Sequence, residues 1–251
     1  MTRSLGVLRY EYIKSVKRWG IWLAFAVAML PFAISFPAWP RESVALTTVQ
    51  LAARLALSLN FLMPVVGGIV MADRLPRDRR YGLQELLFST PLRPHEYVLG
   101  KFVGVLLSAL TPVLLASLLG AVALTMTGAP AGILPSAVLA FVGINVPAFV
   151  FVGAFSIACP AILPVRVYQV LFTGYWFWGN FLNPSFLPTL NGTILTPSGD
   201  FVAGGLLGVP FGASSGYGAT AAVLNLLVLA IAAALALFAL DRYLAWQARR
   251  A

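Results

Sequence analysis

Few residues of this chain could carry out chemistry. Its 251 residues include one histidine, His95, and one cysteine, Cys159, which excludes an internal disulfide and a cysteine-based metal site. The pattern G-x-S-x-G occurs at Gly212–Gly216, with Ser214 as its serine. A serine nucleophile needs a base within hydrogen-bond reach, and no second catalytic group is visible near Ser214. We therefore interpret this match as a chance one.

The chain has no phosphate-binding loop of its own. Gly100-Lys101 resembles the end of G-x-x-x-x-G-K-[ST], but His95 stands where the first glycine would be. No H-E-x-x-H motif and no cluster of cysteine and histidine is present either. The sequence thus predicts no catalytic residue, no metal site and no cofactor in this chain, and the chain is not expected to be an enzyme.

The composition points to a membrane protein. Hydrophobic residues make up 60% of the chain and charged residues 10%, and the mean hydropathy is +0.88. A soluble domain has about 45–50% apolar and about 25% charged residues. This composition in water would expose large apolar patches, so a soluble enzyme, a coiled coil and a disordered tail are excluded.

Six stretches are long enough to cross a bilayer, because a spanning helix needs about 20 mostly apolar residues. The sequence predicts an all-α integral membrane protein, one domain over 1–251, with transmembrane helices at 20–39, 51–72, 102–127, 133–159, 167–182 and 219–240. The fifth stretch is short and rich in aromatic residues, and its ends are the least defined.

The charges give the orientation. With six spans, 15 of the 17 Lys and Arg residues fall on one side, and only Arg41 and Arg54 fall on the other. Since Lys and Arg collect on the cytoplasmic side, both termini are predicted to be cytoplasmic, in the cell (plasma) membrane. The net charge of +9 is therefore explained by orientation and not by a nucleic-acid partner.

The first 19 residues have an amphipathic pattern. Leu5, Leu8, Tyr12, Val16 and Trp19 recur at helical spacing, and Glu11, Lys14, Lys17 and Arg18 fall on the opposite face. This pattern favours an interfacial helix over 1–19 that lies in the headgroup plane. The simpler alternative is a basic anchor.

The charge-rich loop between spans 2 and 3 holds a short helical pattern. Asp78 can cap a helix that runs to about Thr90, which Pro91 stops. Tyr81, Gln84, Glu85 and Phe88 share one face of that helix. A surface that mixes aromatic, polar and charged groups suits docking to a partner, and a solvated loop is the equal alternative on periodicity alone.

Polar residues inside the spans are few. They are Asn60, Asn145, Gln169, Asn180 and Asn225, which we expect to form interhelical hydrogen bonds and which could line a substrate path. Acidic residues at the midplane are absent, which argues against an ion-coupled transporter.

The sequence resembles the membrane subunit of ABC-2-type ATP-binding-cassette transporters. The resemblance is carried by Arg80-Tyr-Gly82-Leu-Gln-Glu85-Leu-Leu-Phe-Ser-Thr-Pro91 and by Glu96-Tyr-Val-Leu-Gly100-Lys101. In that family this stretch is a coupling helix that rests on a separate ATPase subunit. Leu83 departs from the family, where threonine is common at this position.

The resemblance implies a helix at 78–90 whose ATPase-facing residues are Tyr81, Gly82, Gln84, Glu85 and Phe88, with a second cytoplasmic contact at Pro164 and Arg166. It also implies ATPase subunits that bind ATP and Mg, and a second permease subunit in a homodimer or heterodimer within the lipid bilayer.

The segment 183–218 precedes the last predicted span and contains eight glycines from Gly192 to Gly218. Its apolar stretches are too short to span. We expect an extracellular re-entrant segment that forms an outer gate, with an ordinary external loop as the alternative.

The function expected from these features is that of a permease subunit that exports an amphiphilic or hydrophobic substrate such as a drug, lipid, peptide or lipid-linked glycan. Two alternatives stay open: an intramembrane enzyme that uses Ser214 or His95, and an assembly factor for another membrane complex.

Overall fold

The computed structural model of the chain describes residues 2–35, 46–82, 94–211 and 217–249, and every regular element in those ranges is a helix. The α-helices are α1 Thr2–Val16, α2 Trp19–Ser35, α3 Thr48–Ala72, α4 Arg74–Arg80, α5 Pro94–Met126, α6 Ile133–Ala140, α7 Val146–Ala158, α8 Val165–Asn180, α9 Asp200–Gly205 and α10 Ala219–Ala248. A π-helical turn at Phe141–Asn145 joins α6 to α7, and a 3-10 turn at Cys159–Ala161 follows α7.

Four helical stretches among the described residues are long and apolar enough to cross a membrane. They are Thr48–Asp78, His95–Met126, Ile133–Ala161 and Ala219–Gln247, and they correspond to the second, third, fourth and sixth predicted spans. The chain is thus a helical protein with several apolar helices of membrane-spanning length.

Helices α2 and α8, which correspond to the first and fifth predicted spans, are short for a membrane crossing over the described residues. Helix α8 has 16 residues, about 24 Å of helix, against a hydrocarbon core of about 30 Å. Helix α2 has 17 residues, and the predicted span 20–39 runs past its end into residues 36–45, which lie outside the described ranges. The described residues hold a fifth span only if α1 and α2, which meet at 63°, are counted together. The number six stays a prediction.

Helix α3 is the centre of the bundle, in contact with α2, α5, α6, α7, α8 and α9. Its start is fixed by a capping box, in which Gln50 N donates to Thr47 Oγ1 at 3.3 Å and Thr47 N donates to Gln50 Oε1 at 3.0 Å. Gln50 Nε2 also donates to Gly208 O at 2.6 Å, so the same residue ties α3 to the segment after α9.

The π-helical turn at Phe141–Asn145 ends two residues before Pro147, and this proline explains the turn. Pro147 has no N–H and its ring crowds the carbonyl of Gly143, which lies inside the π turn. A local change of hydrogen-bond register accommodates both effects. The turn also places Asn145, whose side chain is fully buried, against α3.

The predicted helix at the N terminus is present as α1, but one residue of its polar face departs from the prediction. Leu5 and Trp19 are 59% and 77% exposed, as an apolar face that contacts lipid requires, but Glu11, predicted on the polar face, is buried where α1 packs against α5. The assignment of Glu11 to the solvated face was therefore wrong. The physical reason is a charge partner on α5, which the pattern of α1 alone does not contain.

Candidate functional site

The predicted coupling segment is only partly described. Asp78 lies within α4, and the chain turns at Tyr81–Gly82, where Gly82 has φ of +65°. A left-handed residue ends a right-handed helix. The prediction of one continuous helix over 78–90, capped by Asp78, was therefore wrong. Tyr81 is 72% exposed at this turn. Gln84, Glu85 and Phe88 fall in residues 83–93, outside the described ranges.

Asp78 belongs to a buried charge cluster that joins α1, α4 and α5. Lys101 Nζ on α5 donates to Glu11 Oε1 of α1 at 2.9 Å and to Asp78 Oδ2 of α4. Tyr97 OH donates to the same Asp78 oxygen at 2.7 Å. These contacts replace the capping role predicted for Asp78, because a buried carboxylate needs a cation more than a free backbone N–H needs a cap.

Arg74 completes this charge cluster, which we define as Glu11, Arg74, Asp78 and Lys101. The four residues are 1–4% exposed, and two cations against two acids make the group neutral. Glu11 and Asp73 are the acidic neighbours of Arg74, whose Nη1 and Nη2 atoms have no hydrogen-bond partner among the described residues. Burying an ion costs several kcal/mol, and removing one partner of a buried ion pair costs on the order of 3–5 kcal/mol. The cluster is therefore stable only while its three helices stay together.

Helix α1 reaches Lys101 because α5 has a glycine at the crossing. A Cβ atom on Gly104 would lie 2.7 Å from the carbonyl oxygen of Leu8 and 3.0 Å from the Cβ of Glu11. About two turns further along α5, Tyr12 OH and Thr111 Oγ1 are 3.2 Å apart and share a hydrogen bond. The two helices are therefore in backbone contact along the face that carries Glu11.

The second predicted cytoplasmic contact lies beside α4. The 3-10 turn Cys159–Ala161 packs against α4, Pro164 directly precedes α8, and Arg166 is exposed in the first turn of α8. The structure thus brings the Tyr81–Gly82 turn, the charge cluster and the Pro164–Arg166 segment to one end of the bundle, which we call the α1 end.

The predicted polar residues mostly anchor backbone. At the opposite end, where α3 and α10 begin, Asn60 Nδ2 donates to Pro197 O and Ser198 O, and Asn225 Nδ2 donates to Ile194 O and Thr196 O, all at 2.7–3.1 Å. Asn145 Nδ2 donates to Ala56 O on α3 at 3.0 Å. The amides of Asn60 and Asn225 thus satisfy carbonyl groups of the irregular segment 194–198, whereas the amide of Asn145 bonds to a carbonyl group within helix α3.

The two remaining polar residues differ from each other. Gln169 Nε2 donates to Ile69 O on α3 at 3.1 Å, which confirms an interhelical hydrogen bond. Asn180 Nδ2 donates to Trp176 O within its own helix, so the interhelical bond expected there was wrong. The interhelical donor on this part of α8 is Trp176 Nε1, which lies 2.9 Å from Phe61 O and which the sequence did not single out.

The predicted re-entrant segment folds back against the bundle in its described part. Helix α9 is buried through Phe201, Val202 and Ala203 and packs on α10 and α3. Gly199 enters α9 with φ of +95°, a conformation that favours glycine. Ser214 lies outside the described residues, and His95 lies in the first turn of α5, at the α1 end.

This architecture defines a polytopic helical membrane protein with a charged, buried junction at one end. The family described as ABC-2 family transporter protein matches residues 7–178, more than half of the chain and all four residues of the charge cluster. The chain belongs to the ABC-2 family of transporter proteins, whose members are membrane permease subunits and not themselves catalytic. A comparison with curated proteins gave no match. The matched range ends before α9 and α10.

Proposed function

We propose that this chain is a permease subunit that works with separate ATPase subunits and exports an amphiphilic or hydrophobic substrate across the plasma membrane. Membership of the ABC-2 family over residues 7–178 is the observation that carries the proposal. ATP and Mg would bind to the ATPase subunits, and a second permease subunit, the same or a similar chain, would complete the substrate path. The apolar interior suits amphiphiles better than ions.

In the proposed orientation the α1 end faces the cytoplasm. Arg74, Arg77 and Lys101 lie there, with the N terminus of α1 and the C terminus of α10. The positive-inside rule supports this orientation, because the opposite end carries few Lys or Arg residues in the sequence.

The charge cluster supplies a route for force from an ATPase. A push on the segment from Tyr81 to Phe88 would act first on α4, whose Asp78 is bonded to Lys101 on α5. Lys101 also holds Glu11, so α1 would move with α5 and not independently. A junction of paired buried charges transmits displacement well, because separating the pairs exposes uncompensated ions.

Co-purification tests the proposal. The full chain, tagged at its C terminus and extracted gently from its own membranes, should bring down an ATPase subunit whose ATP hydrolysis is stimulated by hydrophobic drugs, lipids or peptides. Glu85→Arg should lower that stimulated hydrolysis by about tenfold with the chain still inserted, since a reversed charge at a docking face opposes association. Lys17→Glu, a reversal at an exposed position of the same end, is the matched control and should change little.

One result would contradict the proposal as a whole, and another would contradict only the ATPase-facing surface assigned to this chain. One is the repeated absence of any ATPase from the purified chain under conditions in which the chain stays folded. The other is stimulated hydrolysis that Glu85→Arg and Lys17→Glu affect equally, which would remove the 81–88 segment from the interface while leaving a permease role open.

A further inference from the structure

A pocket of about 390 Å³ lies at the end opposite to α1, between α2, α3 and the segment that leads into α9. Three phenylalanines from three parts of the chain line it: Phe32 of α2, Phe61 of α3 and Phe181, which follows α8. Its size is within the range of small-molecule sites, which occur between the helices of bundles and combine an apolar lining with a few placed polar groups.

The aromatic wall is ordered by ring contacts. The rings of Phe61 and Phe181 are 4.7 Å apart between centroids at 70°, and Phe177 stands 5.8 Å from Phe61 at 68°. Edge-to-face packing of this kind directs part of the negative ring faces away from their neighbours. Such faces attract cations, most strongly where water is excluded.

A carboxylate completes the wall. Asp200 is the one ionisable residue among the described residues that line the pocket. Ser198 Oγ donates to Asp200 Oδ2 at 2.7 Å, and Ser198 is itself held by Asn60, whose amide donates to the Ser198 carbonyl oxygen at 2.7 Å. The carboxylate is therefore positioned by α3 before any ligand arrives. Burial raises the pKa of Asp200, with the Ser198 hydrogen bond opposing that rise, and a nearby cation would favour the charged form.

We propose that this pocket binds a hydrophobic organic cation, with the charged centre against Asp200 and the apolar body between Phe32, Phe61 and Phe181. A carboxylate beside aromatic rings selects for such a ligand, because a neutral molecule gains only the apolar contacts and an anion is repelled. Treating the ligand as a transported substrate rests on the proposed function, so the test measures binding to the isolated chain and needs neither transport nor an ATPase.

A matched pair of probes separates charge from shape. Benzyltrimethylammonium is the cation, and neopentylbenzene is its uncharged carbon analogue. Binding of each to the full chain in lipid nanodiscs is measured by saturation-transfer NMR, with empty nanodiscs subtracted. The wild-type chain should prefer the cation, and Asp200→Asn, which retains an acceptor for Ser198, should reduce cation affinity by about tenfold with little effect on the neutral probe.

Two further variants serve as controls for the binding measurement. Asp241→Asn makes the same chemical change near the end of α10 and should keep the cation preference. Phe181→Leu keeps the carboxylate and should reduce cation affinity, and it serves as the deciding variant if Asp200→Asn does not elute as a folded protein. Equal binding of the two probes by the wild-type chain, or a cation preference that survives in Asp200→Asn, would overturn the proposal.

Discussion

Lys101 is the residue on which the α1 end depends, since it bonds acids from two other helices. We expect Lys101→Met to lower the free energy of unfolding by about 3–5 kcal/mol, because Glu11 and Asp78 are then left buried without their cation. Unfolding of the purified chain in mixed micelles, titrated with denaturing detergent, measures the change. Lys17→Met, at an exposed position of the same end, should leave the unfolding curve almost unchanged.

A double variant distinguishes a charge effect from a packing effect. Lys101→Met combined with Asp78→Asn removes one cation and one acid, so the loss of stability should be smaller than the sum of the two single losses. Strict additivity would mean that the residues do not stabilise each other and would contradict the charge cluster.

Asp200 should make stability depend on pH. Its folded-state pKa is raised by burial, so its favourable contribution is complete below the unfolded pKa and is lost as the pH rises through the folded pKa. Asp200→Asn has no such group. The unfolding temperatures of the two proteins, followed by intrinsic fluorescence from about pH 4 to about pH 8, should start close together and separate as the pH rises, with the variant the more stable. If the unfolding temperatures of the two proteins change in parallel with pH, the ionisation of Asp200 does not affect stability and the prediction fails.

Single residues are also where the sequence was least informative. The pattern of α1 places Glu11 among cations on one face, which favours solvent. Its partner Lys101 is 90 residues away, and nothing in either local pattern links them. The sequence does not distinguish Asp200, because a lone acid in a glycine-rich segment has no local signal for burial.

At the scale of elements, the contact of α1 with α5 rests on Gly104. Alanine is favoured over glycine inside a helix by about 1 kcal/mol, but at Gly104 the new Cβ would lie 2.7 Å from the Leu8 carbonyl oxygen. We expect Gly104→Ala to destabilise the chain by about 1–3 kcal/mol through separation of the two helices. Denaturing-detergent titration gives the value.

Gly174 in α8 is the matched control, because a Cβ there would meet nothing within 4 Å. Gly174→Ala should leave stability unchanged or raise it slightly through helix propensity. If both alanine variants behave alike, α1 does not lie as close to α5 as the structure has it.

The elements themselves were largely predictable. Runs of about 20 apolar residues determine spans almost without reference to tertiary structure, and α3, α5, α6–α7 and α10 overlap their predicted ranges, although α5 begins eight residues earlier and α10 ends eight residues later than predicted. The interruption of the predicted 78–90 helix could not be predicted, because the periodicity of this stretch does not show that Gly82 adopts a left-handed conformation. The π turn before Pro147 was also missed, because an apolar run with one proline does not show how the preceding turn changes its hydrogen-bond register.

At the scale of the whole molecule, the proposed orientation can be tested with cysteines. Cys159 is the single native cysteine, so Cys159→Ser gives a cysteine-free background. Tyr81→Cys at the α1 end and Phe186→Cys at the opposite end replace side chains that are 72% and 81% exposed. A membrane-impermeant maleimide added to intact cells should label only Phe186→Cys, and permeabilised cells should be labelled at both positions.

The background protein, which should not react, controls for other labelled proteins. Labelling of Tyr81→Cys in intact cells would reverse the orientation and with it the assignment of the α1 end to an ATPase. Labelling of both positions in intact cells would mean that an even number of spans, and not the predicted three, separates residues 81 and 186, and would contradict the topology as a whole.

The neutral charge cluster also limits how this chain can change over generations. A substitution that adds or removes one charge at Glu11, Arg74, Asp78 or Lys101 leaves an uncompensated ion in the interior, whereas a paired exchange keeps the sum at zero. Related chains should therefore vary at these four positions in compensating pairs. These four positions on three helices, spread over 91 residues of sequence, are therefore expected to covary among related chains.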